Sequence, residues 1–259
     1  MRITNRPFFI PLEIEKDKSV IPDQFSLLVE QPHPLCLLAA ADLQTYLNTQ
    51  KEWNHNFGLH ENGKGKVIGK MFGVLVVRNR QNEIGYLAAF SGKIAGGNNH
   101  SKFVPPVFDA LKENSFLNTG MSELTRINLE IKELMDEEKG ASERIDILKT
   151  MRKNHSNALQ RELFNSYHFL NRSGEEKSLT ELFRAASYKN PPAGAGECAG
   201  PKLLQYAFQQ KMKSLALAEF WWGLSPKSDL WKHGHFYPCC REKCEPILVH
   251  MLHGIDGKV

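Results

Sequence analysis

The stretch VIGKMFGVLVVRNRQNEIGYLAAFSG, residues 67–92, sets the architecture. Two apolar runs flank the polar sequence RNRQNE. That is the pattern of a β-hairpin, with Val74, Leu75, Val76 and Val77 in one strand and Tyr86 to Phe90 in the next. Neither run alternates with polar residues, so the hairpin belongs at the centre of a sheet covered on both faces. A third buried strand is expected in SLALAEFWWG, residues 214–223, where Leu215, Ala216, Leu217, Ala218 and Phe220 leave no polar face.

Upstream, HPLCLLAAADLQTYLNTQ sets Leu35, Leu38, Leu43 and Leu47 on a helical stripe, with Pro34 in the first turn and Cys36 as a small core residue. Residues 1–32 mix proline with short apolar runs and read as extended segments lying on the domain. Downstream, GGNNHSKFVPPVFDALKE reads as a loop leading into a short helix. Residues 121–165 differ in kind. Leu124, Ile127, Ile131 and Leu134, and then Ile145, Leu148, Met151, Leu159 and Leu163, form apolar stripes among charged residues. Two helices of an antiparallel coiled-coil arm follow, turning near Gly140, the second capped by Ser142. Whether the arm pairs within one chain or between two is open, and a protein-interaction module whose arm docks a partner protein or dimerises is one reading.

From residue 166 the chain is globular again. SLTELFRAA is a capped helix, and NPPAGAGECAGPKLLQYAFQQKM is a Gly-Pro loop running into a helix with Pro201 in its first turns. A final helix starts at CCREKCEPILVHMLHG, with Pro246 expected near its first turn. These elements give an α/β chain: a deaminase-like three-layer sandwich with a central mixed sheet and an inserted antiparallel helical-hairpin arm. Its parts are residues 1–118, the first half of the globular domain, 119–165, the arm, and 166–259, the second half.

Composition narrows the function classes. The 259 residues are 41% hydrophobic and 24% charged, with a net charge of +4. That permits contact with nucleic acid without requiring it. No apolar stretch is long enough for a membrane helix and the first residues lack a signal core, so a cytoplasmic protein is expected. An odd five cysteines favours thiols or metal ligands over a disulfide framework.

Chemistry concentrates in HGHFYPCCREKCEPIL, residues 233–248. Cys240 and Cys244 lie four apart, on one helix face, and could hold one ion together. His233 or His235 would supply a third ligand and Cys198, at another helix start, a fourth; the metal for such a set is zinc. Two other readings stand beside it: buried inert thiols, or redox and nucleophilic chemistry at Cys198 and Cys240, whose helix N-termini favour the thiolate. GAGECAG, residues 194–200, lacks the ending of a phosphate-binding P-loop and reads as a tight loop. Glu219, in a buried strand, must be paired or protonated, as a structural partner of a cation or as an acid/base. Lys149, Arg152 and Lys153 make the second arm helix basic. With Lys232, Arg241, Lys243, Trp221 and Trp222 they are the candidate RNA contacts, through phosphates and base stacking.

The order helix, β-hairpin, Cys-bearing helix, strand and Pro-Cys helix resembles the cytidine-deaminase fold. That family places a Glu two positions after its first ligand; here Gly200 stands two after Cys198, and the second ligand pair is spaced Cys240 to Cys244. Glu197 or Glu219 would have to replace the proton shuttle. In HPLCLLAAADLQTYL, EWNHNFGL, GKMFGVLVV, GYLAAFSGKIAG, FVPPVFD, PPAGAGECAGPKLLQYAF, LALAEFWWG, SPKSDLWKHGHFYP and CEPILVHML, the chain resembles the N-terminal region of long bacterial RluA-type RNA pseudouridine synthases. The resemblance implies isomerisation of uridine to pseudouridine in structured RNA (rRNA or tRNA), with no metal or organic cofactor required. It also implies a C-terminal synthase domain carrying an Arg-Leu-Asp motif. That motif is absent from these residues, so the chain is expected to be a fragment without the synthase active site, and no residue is assigned as catalytic.

Overall fold

The expected hairpin forms as β2 (Lys70–Arg78) and β3 (Ile84–Phe90), in the antiparallel register Phe72 opposite Phe90 to Arg78 opposite Ile84. In the computed structural model the described residues are 8–13, 21–22, 24–25, 31–61, 63–112, 115–136, 142–188, 190–225 and 227–253. Asn79 closes the hairpin turn. Its side-chain oxygen accepts the amides of Gln81 and Glu83, both at 2.9 Å, while its amide nitrogen donates to the Glu83 carboxylate at 2.7 Å. Asn82 supplies the positive φ of 64° that the turn needs.

β1 (Ile10–Pro11) pairs with β3; β6 (Lys213–Trp222) pairs with β2, and β7 (Phe236–Tyr237) pairs with β6. The sheet order is β1-β3-β2-β6-β7, and each of these pairings is antiparallel. The expectation of a mixed sheet is therefore corrected. Continuous apolar strands reflect cover on both faces, and two helices give that cover here without any parallel pairing. α1 (Pro34–Thr49) packs Leu35, Ala39 and Leu43 against Phe72, Val74, Val76, Phe220 and Trp222. α5 (Ala199–Gln209) lies on the opposite face. Gly73 of β2 makes room for it: a Cβ there would stand 3.0 Å from both Ala199 and Leu203. α1 is tied down at its middle, where Asp42 accepts the Tyr86 hydroxyl and pairs with Lys102 at 3.1 Å. Leu38, expected on the buried stripe, is 46% exposed, and Ala39 and Ala40 fill its place.

A second hairpin, unforeseen from the sequence, joins β4 (His168–Leu170) to β5 (Glu176–Ser178). α4 (Leu179–Ala185) follows with a complete capping box between Ser178 and Glu181. α6 (Arg241–Met251) carries Pro246 in its second turn rather than its first. The proline removes one helical hydrogen bond there and buries its ring instead.

Residues Phe108–Tyr167 form a separate compact unit, beginning before residue 119; the remaining described residues form the other. Residues 101–112, read from sequence as ending in a short helix, form bends and turns. α2 (Phe116–Asp136) and α3 (Ser142–Ser166) run antiparallel. Ile127 and Ile131 meet Leu148, Glu130 pairs with Arg144 at 2.8 Å, and His155 approaches the Gly120 carbonyl at 3.1 Å. This packing buries Ile127, Ile131 and Leu148, with Leu134 and Ile145 against them. Met151, assigned to that stripe, is instead 46% exposed. The turn expected near Gly140 lies outside the described residues. Among the described residues no helix is long and apolar enough to cross a membrane.

Candidate functional site

Strand alternation sends Glu219 and Trp221 of β6 to the α5 face and Phe220 and Trp222 to the α1 face. Glu219 stands opposite Gly73 of β2 and Tyr237 of β7, and is 4% exposed. Its Oε1 accepts the Gly200 amide at 2.9 Å. Gly200, in the first turn of α5, turns its amide to this carboxylate. A Cβ there would lie 3.5 Å from Glu219 Oε1 and 3.7 Å from Cys239 Sγ. Burial pushes the Glu219 carboxyl up to about 7, against the pull of the Gly200 amide and the Cys239 thiol.

Three thiols meet beside that carboxyl. Cys198 is the N-cap of α5 and Cys240 the N-cap of α6, so the two helix starts converge as α5 packs on α6. Cys244, one turn into α6 and buried, lies beside the thiols of Cys198 and Cys240. Cys240 is exposed and makes no side-chain cap hydrogen bond of ordinary geometry. The Cys244 thiol first, and then the amides of Lys243, Glu242 and Cys244, hold it down at about 5 against its partial burial. Those same thiol interactions, with burial, drive Cys244 upward. Cys239 is also pushed up, by burial first and by the Glu219 carboxylate next.

Of the five ligand candidates, Cys198, Cys240 and Cys244 come together and the two histidines stay apart from them. His233 Nδ1 accepts the Gly223 amide at 3.0 Å and its ring lies 4.3 Å from Trp222, on the α1 side. His235 is exposed at the start of β7, its carbonyl taken by the Trp221 amide. Among the described residues no three His, Cys, Asp or Glu groups are spaced to hold a metal ion.

The loop GAGECAG is tight, as expected, with Gly194 and Gly196 at φ of 76° and 88°. It brings Glu197 beside two lysines. Lys202, 3% exposed, donates to the carbonyls of Phe90 at 2.9 Å and Gly92 at 3.2 Å, and burial pushes its ammonium down to about 8. Lys70 is lowered for the same reason, with Glu197 opposing the shift.

An aromatic group continues the same sheet face outward. Trp221 stacks on Trp231 with centroids 5.4 Å apart and planes at 23°, and Trp231 meets Tyr237 edge-on at 4.7 Å. The Tyr237 hydroxyl accepts the Lys232 amide at 2.7 Å and donates to the Leu230 carbonyl at 2.8 Å, pinning the loop. Trp222, a candidate for base stacking, is corrected: it is 4% exposed in the α1-side core. Trp231, which sequence reasoning missed, takes its place in the stack. Its signal was the polar loop around it, SDLWKH, which gives a tryptophan no core to enter.

Lys232 and Arg241 are exposed and Lys243 is half-buried. In the helical unit Lys149, Arg152 and Lys153 are all exposed; Lys149 stands 4.0 Å from Asp146 and Arg152 donates to Asn128 at 2.9 Å. Three surface grooves, of about 470, 520 and 440 Å³, are lined by His55, Phe57 and Trp222, by Tyr188, Pro246 and Val249, and by Leu170, Phe208 and Met212. No protein-family model, curated protein or solved structure matches this chain.

Proposed function

We propose that this chain is an accessory, RNA-positioning portion of an RNA pseudouridine synthase, whose isomerisation of uridine is carried out by a separate C-terminal module. The observation that carries the reading is the Trp221, Trp231 and Tyr237 group, half-buried and pinned beside exposed Lys232. Every base has a π-face, so a rigid aromatic group flanked by cations suits an unpaired nucleotide whatever its identity. The sheet order, with α1 on one face and α5 and α6 on the other, supports a deaminase-like three-layer sandwich in which α2 and α3 are an inserted helical-hairpin arm.

The test is titration of a fluorescent stem-loop RNA with a uridine loop against the wild-type chain and Trp231→Ala. Loss of one stacking partner should weaken binding by about 1–3 kcal/mol, roughly 5- to 150-fold. Equal affinity for the folded variant would refute the reading.

One observation favours a second reading, a zinc-dependent deaminase-like hydrolase. Glu219 accepts the Gly200 amide, so β6 presents a carboxyl near the point where the deaminase family keeps its glutamate. Cys198, Cys240 and Cys244 are the ligands this reading needs, although among the described residues no three such groups are spaced to hold an ion. Stoichiometric zinc in the purified chain, lost in a folded triple Cys→Ser variant, together with turnover of cytidine, would establish it; a metal-free chain without turnover would dismiss it.

A further inference from the structure

The groove of about 440 Å³ has a charge pattern that RNA positioning by Trp231 leaves unused. It lies where the β4–β5 turn meets the connection from α5 to β6. Arg172 comes from the first turn, Lys211 from the second and Lys213 from the start of β6, and no acidic residue lines the groove. All three cations are exposed, and none forms an ion pair with a described residue. The carboxylate of Glu175, in the same hairpin, is taken by Asn171 at 3.0 Å and Lys177 at 2.9 Å, and Glu175 lines the groove of about 520 Å³ instead. A cleft lined by one sign of charge concentrates the opposite sign. Leu170, Phe208 and Met212, each half-buried, give this basic groove an apolar wall. Ser214, also in the lining, buries its Oγ without a hydrogen-bond partner among the described residues, and a ligand oxygen reaching this wall would satisfy it.

We infer that this groove is a binding site for a phosphorylated nucleoside, with the phosphate on Arg172 and Lys211 and the base against Phe208 and Met212. Unpaired cations beside an apolar wall that holds an aromatic ring fit a ligand flat at one end and anionic at the other. A free nucleotide and the 5′-phosphorylated end of an RNA strand share this chemistry. The groove opens at the Lys213 end of β6, whereas Trp221 stands near the other end of that strand, roughly 26 Å away at about 3.3 Å per residue. The site is therefore independent of the Trp231 stack.

The experiment is nuclear magnetic resonance of the full chain carrying isotope-labelled methionine methyl groups, with Met212 assigned through Met212→Leu. On titration with adenosine 5′-monophosphate the Met212 resonance is expected to shift to saturation, while that of Met121, exposed on α2, stays in place. Arg172→Ala combined with Lys211→Ala should weaken the fitted affinity by about tenfold or more, the size of a lost charge-assisted hydrogen bond. Adenosine and inorganic phosphate, each offering half of the ligand, should bind more weakly than the nucleotide. Should the double variant fail to fold, the wild-type affinity should still fall as salt rises, because salt screens exposed cations. A 5′-phosphorylated RNA trinucleotide that shifts Met212 at lower concentration than the mononucleotide identifies a strand end as the source, and the reverse order identifies the free nucleotide. No Met212 shift at millimolar nucleotide, an affinity unchanged by the double variant or by salt, or phosphate binding as tightly as the nucleotide overturns the assignment. None of these failures bears on the stem-loop titration of Trp231→Ala, so the two readings are tested separately.

Discussion

Glu219 occupies a strand position where every neighbour along the strand is apolar, and its cost has a definite pH dependence. Folding raises the carboxyl from an ordinary 4.5 to about 7 through burial. Below 4.5 both folded and unfolded chains are protonated and no penalty exists. Between 4.5 and 7 the unfolded chain releases its proton first, so stability falls as pH rises, and above 7 the loss is complete. At 1.36 kcal/mol per pKa unit the full effect is about 3 kcal/mol. Glu219→Gln keeps an oxygen for the Gly200 amide and removes the ionisation. It should raise the denaturation midpoint at pH 8 and flatten the profile from pH 4.5 to 7; a variant less stable at pH 8 would contradict this. The sequence showed that Glu219 is buried, because its strand has no polar face. It could not show that the Gly200 amide donates to the carboxylate, since that hydrogen bond joins residues 19 apart in sequence. Trp221 and Trp222 make the related point about parity. The dipeptide announces aromatic chemistry, but only the register of β6 decides that the first faces the stack and the second the core.

Among the elements, one turn chemistry is used twice. NRQNE at 79–83 and NRSGE at 171–175 each close a hairpin with an asparagine whose side chain accepts the amide four residues on, at 2.9 and 2.8 Å. The first is legible in the sequence because long apolar runs flank it. The second is not, because β4 and β5 have three residues each and no run to betray them. Asn171 is buried, so Asn171→Ala leaves the Glu175 amide without its acceptor. It should cost about 1–3 kcal/mol by chemical denaturation, against no change if solvent replaces the asparagine oxygen. The helical unit offers a sharper case in Gly120 of α2, where an added Cβ would sit 2.2 Å from Leu159 Cδ2. Alanine has the better helix propensity, yet Gly120→Ala should lower stability by about 1–3 kcal/mol through overpacking. Gly120→Ala with Leu159→Ala should recover part of that loss, and additive costs would show that the clash is not its origin. The helical stripes of α2 and α3 are readable because 3.6-residue periodicity needs no knowledge of the partner. Strand direction is not, because an apolar run reports cover on both faces and is silent on whether neighbours run parallel or antiparallel.

Across the entire chain, RNA positioning requires exposed cations and one pinned aromatic stack. Neutralising Lys149, Arg152 and Lys153 together should weaken stem-loop binding at low salt and make log affinity less steep in log salt, by about 0.7 for each phosphate no longer neutralised on single-stranded RNA. If the slope does not move, α3 touches no phosphate, and any RNA binding belongs to the other unit. The fold of the sheet and its helices was largely present in the sequence, whereas the site was only half there: its cysteines were visible by spacing, while strand parity was needed to put Glu219 and Trp221 on one face, where Gly200 and Trp231 meet them. RNA positioning is most sharply probed by photo-cross-linking of a stem-loop RNA carrying 4-thiouridine in its loop, with the attached peptides identified by mass spectrometry. The loop uridine should join the tryptic peptide Ser228 to Lys232, which holds Trp231, and Trp231→Ala should abolish the adduct. Adducts confined to other segments, or none at a saturating concentration of RNA, would rule out Trp231 as the base-stacking platform and RNA positioning with it.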